Sequence, residues 1–193
     1  MSLDTPKTPL PELTGAILAG GTGRRVGGQD KGWLKFQGEP LIAQVLAAVQ
    51  PQVQSIVINA NQNLEAYEAL GFPVVTDQQP NMGPLGGILS ILDAVTTDYA
   101  LIAPVDVPNV PGDLVAQLWR NGIAQLILSK DKGGLQPLVG IYHRDLRHSI
   151  RHYLSTGERK LQTWCQQQGP QIIHLAHPDY LLNLNRPEQF QTP

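Results

Sequence analysis

Leu18-Ala19-Gly20-Gly21-Thr22-Gly23-Arg24-Arg25-Val26-Gly27-Gly28-Gln29-Asp30-Lys31 follows directly on the apolar run Ala16-Ile17-Leu18-Ala19. The run is short and hydrophobic, as a strand buried on both faces requires. What comes next holds five glycines in nine positions, residues 20–28. Without a Cβ, backbone amides there can turn inward and approach an anion closely. Arg24, Arg25, Lys31 and Lys35 put four of the fourteen basic residues into twelve positions, opposed there only by Asp30. Amide nest, guanidinium and ammonium together are polyphosphate chemistry. A buried strand that opens onto such a loop marks the start of a nucleotide-binding α/β sheet.

The rest of the chain agrees with that reading. Apolar or β-branched runs at Ser55–Asn59, Pro73–Thr76, Tyr99–Ala103, Leu126–Leu128, Pro137–Tyr142 and Gln171–Leu175 read as further strands. Helical spacing is present in Leu41–Val49, Leu85–Val95, Gly112–Arg120, Arg144–Leu154 and Leu161–Gln168. The first three of these begin just after a proline, which suits a first helical turn. Strands alternating with helices give a sheet covered on both faces. No linker, repeat or low-complexity block interrupts residues 13–190. The expectation is one domain over 13–193, behind a flexible tail over 1–12 that holds three prolines.

Bulk composition narrows the function classes. The 193 residues are 41% hydrophobic and 16% charged, so a packed core is expected. A net charge of −2 gives no general attraction to nucleic acid or an anionic membrane. A lone cysteine, Cys165, excludes an internal disulfide and any multi-cysteine metal site, and reads as packing. The N-terminus has no apolar run for a secretory signal, and no stretch approaches the about 20 apolar residues of a membrane span. A cytoplasmic protein is expected.

Two familiar phosphate motifs do not fit. Gly-x-x-x-x-Gly-Lys-Ser/Thr fails because no lysine sits directly after the second glycine. Gly-x-Gly-x-x-Gly fails from Gly21 because its sixth position is Val26, and the second strand ends in Asn59, not an acid. The carboxylates at strand ends carry more weight, since ligands of open α/β sheets gather there. Asp106 stands in Pro104-Val105-Asp106-Val107-Pro108, where prolines stiffen the turn, and it is a hard oxygen ligand suited to Mg2+, with a turn-forming aspartate as the alternative. Asp77, after Val74-Val75-Thr76, only accepts hydrogen bonds, which suits guanine N1–H and its exocyclic amine; Asn59 donates and accepts. For Asp77 and Asn59, helix capping stands as the alternative. Gly83-Pro84-Leu85-Gly86-Gly87 opens a helix whose small residues allow close approach to a ligand.

Other features point nowhere specific. His148 and His152 are four apart, but His-Ser-Ile-Arg-His lacks the glutamate of a zinc peptidase and reads as a solvated helix face. Trp33, Trp119 and Trp164 read as packing. No Gly-x-Ser-x-Gly supports a serine hydrolase.

Taken in order, these motifs resemble the molybdenum cofactor guanylyltransferases, the MobA family of the nucleotidyltransferase superfamily. The resemblance runs from Leu18-Ala19-Gly20-Gly21 and Gly27-Gly28-Gln29-Asp30-Lys31 through Asn59-Ala60-Asn61, Asp77, Gly83-Pro84-Leu85-Gly86-Gly87 and Asp106. It ends at Gly157-Glu158-Arg159 and Asn183-Leu184-Asn185-Arg186-Pro187-Glu188. Val26 stands where methionine is usual, Val105 where cysteine is frequent and Arg186 where threonine is frequent. The resemblance implies a Rossmann-like three-layer sandwich whose mostly parallel sheet has one antiparallel strand. It implies GTP contacts at Leu18, Ala19, Gly20, Lys31, Asn59, Asp77 and Asp106, with Mg2+ on Asp106. Gly21 and Gly83 join the nucleotide side as glycine approaches, and Asn183 and Asn185 fall on the pterin side. The implied reaction moves GMP from GTP to the terminal phosphate of molybdopterin, with transient contact to cofactor-insertion proteins. An acceptor phosphate is already anionic, so no general base is needed. Arg25, Lys31 and Asp106 would carry the catalysis, by positioning and charge neutralisation. Same-fold transfer from CTP or to a sugar phosphate, and a non-catalytic GTP-binding module, are the rival expectations.

Overall fold

The computed structural model describes residues 9–20, 30–175, 181 and 184. β1 (Leu13–Leu18) is buried along its length except at Leu18. A two-residue-strand hairpin, β2 (Lys35–Phe36) and β3 (Glu39–Pro40), turns through Gln37 and Gly38, whose φ values of 52° and 87° suit a tight hairpin. α1 (Leu41–Val49) then starts after Pro40 and buries Leu41, Ile42, Val45, Leu46 and Val49. Pro51 sits in the short 3-10 turn that ends it, where no helical N–H is required. β4 (Ser55–Asn59), α2 (Leu64–Glu68), β5 (Val74–Val75), α3 (Pro84–Ala94) and β6 (Tyr99–Pro104) complete the first half. α4 (Leu114–Leu118), β7 (Leu126–Asp131), β8 (Gly134–His143), α5 (Leu146–Ser155), α6 (Leu161–Gln167) and β9 (Gln171–His174) follow.

Seven strands form one sheet in the order β5-β4-β1-β6-β8-β7-β9. β1 pairs parallel with β4 and β6, and β7 with β9, while β8 runs antiparallel to both β6 and β7. The single reversed strand expected in a mostly parallel sheet is therefore β8. Side chains alternate between two cores, as strand geometry dictates. Leu13 and Ile17 of β1, with Leu101 and Ala103 of β6, face α1, Tyr67 of α2 and α4. Ala16 of β1, with Ala100 and Ile102 of β6, faces α3, α5 and α6. Helix, sheet and helix make three layers.

The differences from the sequence reading have simple causes. β7 and β8 extend past their apolar halves into a hairpin through Asp131-Lys132-Gly133-Gly134, because ladder bonds continue where side chains become polar. The helix expected from Gly112 begins at Leu114 and tightens into a 3-10 turn over Trp119–Asn121. α2 was not expected at all, being one turn long. Trp119 and Trp164 are buried in the two cores, and His148 and His152 are exposed on α5.

The chain leaves β1 toward β4 and β5 on one side, then crosses to β6 on the other. The switch lies between β1 and β6, and a crevice opens beyond the carboxyl ends of strands at such a point. Leu18 ends β1 there, in register with Asn59 of β4 and Pro104 of β6.

Candidate active site

Backbone hydrogen bonds carry the strand ends into the crevice. Ala19 N donates to Asn59 O at 2.8 Å, and Val105 N donates to Leu18 O at 3.0 Å. These bonds prolong the ladder by one residue on each side, so Gly20 and Asp106 emerge on either side of the switch.

Lys31 reaches the same place from the far end of the glycine segment. Its Nζ donates to Asp106 Oδ2 at 3.0 Å and to Leu184 O at 3.4 Å. Leu184 N in turn donates to Asp106 O at 2.8 Å, so Asp106 is gripped by backbone as well as side chain. What holds Lys31 is its neighbour. Asp30 is buried, and its Oδ1 accepts from Tyr67 OH at 2.7 Å and Gly32 N at 3.1 Å. Its Oδ2 accepts from Asn63 Nδ2 at 3.1 Å. Three donors satisfy a carboxylate that would otherwise be costly to bury. Burial first, then the Asp30 carboxylate, pushes the Tyr67 hydroxyl far above its usual pKa, so it stays a proton donor.

A second cluster forms where β4 and β5 end. Asn59 is almost fully buried, and its Nδ2 donates to Val75 O at 3.2 Å and Asp77 Oδ1 at 2.9 Å. Neither residue caps a helix: α3 is preceded by Gly83 at its N-cap, whose φ of 62° and ψ of −162° belong to glycine alone, without a side-chain cap. Gly87 of α3 lies against this pair. A Cβ there would meet Asn59 Oδ1 at 2.5 Å and Leu18 Cδ2 at 2.9 Å. Gln78 Nε2 donates to Asp93 Oδ2 at 2.8 Å, and Arg151 Nη2 lies 2.9 Å from both Asp93 oxygens, tying the chain after Asp77 to α3 and α5.

The expected residues Leu18, Ala19, Gly20, Lys31, Asn59, Asp77 and Asp106 thus gather at one edge of the sheet. Gly83 stands at the exposed start of α3. Gly21, Arg24, Arg25, Asn183 and Asn185 lie outside the described residues. Asp30, Asn61, Asn63, Tyr67 and Gly87 were not singled out from the sequence for the roles they take. The readable hint was Asn59-Ala60-Asn61, whose i, i+2 spacing puts both asparagines on one side of an extended chain. As for a metal, the described residues hold no group of three or more His, Cys, Asp or Glu side chains that could ligate one. Asp106, 22% exposed at its side chain, fits Mg2+ that keeps water and takes phosphate oxygens for its other ligands.

This topology and its strand-end cluster define a three-layer α/β protein of nucleotidyltransferase type. Residues 15–172 match the model of the MobA-like NTP transferase domain. The chain is 36% identical to a protein of Shewanella halifaxensis named molybdenum cofactor guanylyltransferase, over 93% of this chain and 92% of that one. Its namesake in Shewanella piezotolerans is also 36% identical, over 93% and 90%. The molybdopterin-guanine dinucleotide biosynthesis protein A structure from Archaeoglobus fulgidus superposes with a TM-score of 0.76 at 21% identity, over 92% and 95%. The 2-C-methyl-D-erythritol 4-phosphate cytidylyltransferase of Thermus thermophilus shares the fold at a TM-score of 0.63 and 14% identity, over 91% and 94%. The chain belongs to the MobA-like NTP transferase family.

Proposed function

We propose that this protein transfers GMP from GTP to the terminal phosphate of molybdopterin and releases pyrophosphate. The observation that carries the reading is the meeting of Lys31 and Asp106 at the switch point, one strand away from the Asn59–Asp77 pair. The naming of the 36% identical relatives supports the choice of substrates. Phosphate is read on one side of Leu18 and base on the other.

In this reading Asp77 accepts from guanine N1–H and the 2-amino group, and Asn59 holds that carboxylate in place. Gly20 and Gly21 are assigned the backbone amides that meet the triphosphate. Leu18 and Ala19 line the nucleotide at the end of β1, where the Ala19 amide is held by Asn59 O, and Gly83 approaches from the start of α3. Lys31 exchanges its contact with Asp106 for phosphate oxygens. The exchange swaps one anionic partner for another, so the Lys31 charge is not left uncompensated. Arg25 and Lys31 stabilise charge on the departing pyrophosphate. Asp106 would hold Mg2+, which when bound neutralises phosphate charge and polarises the α-phosphorus. The acceptor phosphate attacks already deprotonated, so orientation is the main task left to the protein. Asn183 and Asn185 are assigned to the pterin side. Residues 13–193 act as one nucleotidyltransferase domain behind a tail over 1–12. A cytoplasmic location and passing contact with cofactor-insertion proteins belong to the same reading. Among the described residues no helix is long and apolar enough to cross a membrane.

Pyrophosphate release measured across the four ribonucleoside triphosphates, with and without molybdopterin, tests this directly. Release with GTP that depends on molybdopterin is expected. Release with CTP in place of GTP, or none with any pair, overturns it.

A further inference from the structure

We propose that Asn61 sets the base selectivity of the nucleotide site by tying its two rims together. The proposal rests on the reading of Asp77 as the group that meets the base. Asn61 Nδ2 donates to Gly20 O at 3.1 Å, and Asn61 Oδ1 accepts from Asp77 N at 2.8 Å. A carbonyl can only accept and an amide N–H only donate, so these two partners fix which way the side-chain amide points. One planar group therefore spans from the start of the glycine segment to the backbone of Asp77. Asn59, two residues earlier, holds the Asp77 carboxylate at 2.9 Å. Backbone and carboxylate of one residue are thus clamped by two asparagines from the same strand end.

Gly20 closes the other side of this clamp. A Cβ at that position would meet Asn61 Nδ2 at 2.7 Å and Asn59 Oδ1 at 2.8 Å. The side chains of Asn59 and Asn61 fill the space that a side chain would need. The Gln78–Asp93 bond tethers the same loop to α3, but not toward Gly20. Asn61 is exposed, so it packs little and does not hold the core. Its two bonds instead fix the distance between the Asp77 carboxylate and the phosphate loop, which is the distance a nucleoside must span. Asn61 is a positioning residue that acts through Asp77.

GTP and ITP separate this role from a structural one, because inosine lacks the exocyclic amine that a carboxylate at Asp77 would accept from. We would measure kcat/KM for both nucleotides, with molybdopterin, in the wild type and in Asn61→Ala, Asn61→Asp and Asp77→Asn. Asn61→Ala is expected to lower the GTP/ITP ratio at least about fivefold, mainly through a raised KM for GTP, with ITP, which keeps N1–H but has no amine to lose, falling by a smaller factor. Asn61→Asp keeps the acceptor for Asp77 N–H and loses the donor to Gly20 O, so it should lower the ratio by less. Should the alanine variant fail to fold, as checked by circular dichroism and Tm, any fall in the ratio for Asn61→Asp supports the proposal and an unchanged ratio overturns it. Equal losses for both nucleotides in Asn61→Ala overturn it. So does a ratio that collapses in Asp77→Asn yet survives in Asn61→Ala, and that result leaves the Asp77 reading standing. A ratio intact in both overturns the reading of Asp77 as well.

Discussion

Lys31 Nζ stands 3.0 Å from Asp106 Oδ2, across 75 residues of chain, and joins the end of the glycine segment to the end of β6. The two side chains are 18% and 22% exposed, so water weakens their attraction. Pairs buried to this degree lose most of their Coulombic gain to desolvation, so their net contribution to stability is small. The proposed transfer gives both groups a task beside a triphosphate. Asp106→Ala is expected to lower turnover at least about 10³-fold, the scale of losing a main electrostatic contributor, while the protein still unfolds cooperatively because Lys31 Nζ keeps its contact with Leu184 O. Turnover assays and urea denaturation on the same preparation check both halves. Activity within tenfold of wild type would remove Asp106 from the mechanism.

Gly87→Ala sets two effects against each other. Alanine in a helix interior is favoured over glycine by about 1 kcal/mol. Against this, the new methyl would sit 2.5 Å from Asn59 Oδ1, a separation that real contacts do not tolerate. Asn59 is held by Val75 O and Asp77, so it can yield only by breaking those bonds. The clash wins. GTP affinity by calorimetry is expected to fall at least about tenfold, or about 1.4 kcal/mol. Unchanged affinity would mean that Asn59 does not position Asp77 for the base.

Much of this arrangement is legible in the sequence because an α/β sheet presents its ligands at strand ends. Leu18, Asn59, Asp77 and Asp106 are each at or just beyond the end of an apolar run, which is where that rule looks. α2 stayed hidden because Leu64–Glu68 is a single turn, too short to show a period, and Asn63 enters it with φ of 52°. The anchoring role of Asp30 stayed hidden too. Beside four cations it reads as a local counter-charge, yet its partners are Gly32, Asn63 and Tyr67, the latter two from another part of the chain. The tight contact at Gly87 depends on how α3 lies on the sheet, and no single-sequence pattern reports that.

Tyr67→Phe isolates the Asp30 anchor. The ring would keep its place against Trp33, with centroids 5.3 Å apart, so apolar packing changes little. Asp30 would lose one of its three donors and keep Gly32 N and Asn63 Nδ2. A hydrogen bond to a buried charged group contributes about 1.5–3 kcal/mol, so urea unfolding should show a loss of that order. Lys31 follows Asp30 in sequence, so KM for GTP should rise as well. A variant as stable as wild type would show that the hydroxyl is not needed to keep Asp30 in place.

Cys165 is the case in which chemistry is expected to stay silent. Burial pushes its thiol up from the usual 9.0 to about 11, with a smaller opposing effect from the Tyr142 hydroxyl. The folded protein therefore keeps this proton where the unfolded chain has released it. The stability involved is whole below pH 9.0 and is lost as pH rises toward about 11. Only the thiolate reacts with alkylating agents, so iodoacetamide at pH 8 should label the native protein at least about 100-fold more slowly than the denatured one. Wild type and Cys165→Ala should also differ in how steeply urea stability falls between pH 9 and 11, with the wild type steeper. Fast native labelling at pH 8 would mean that the core holding Cys165 beside Tyr142 opens often enough to expose the sulfur, and the sheet face under α6 would then be looser than its packing implies.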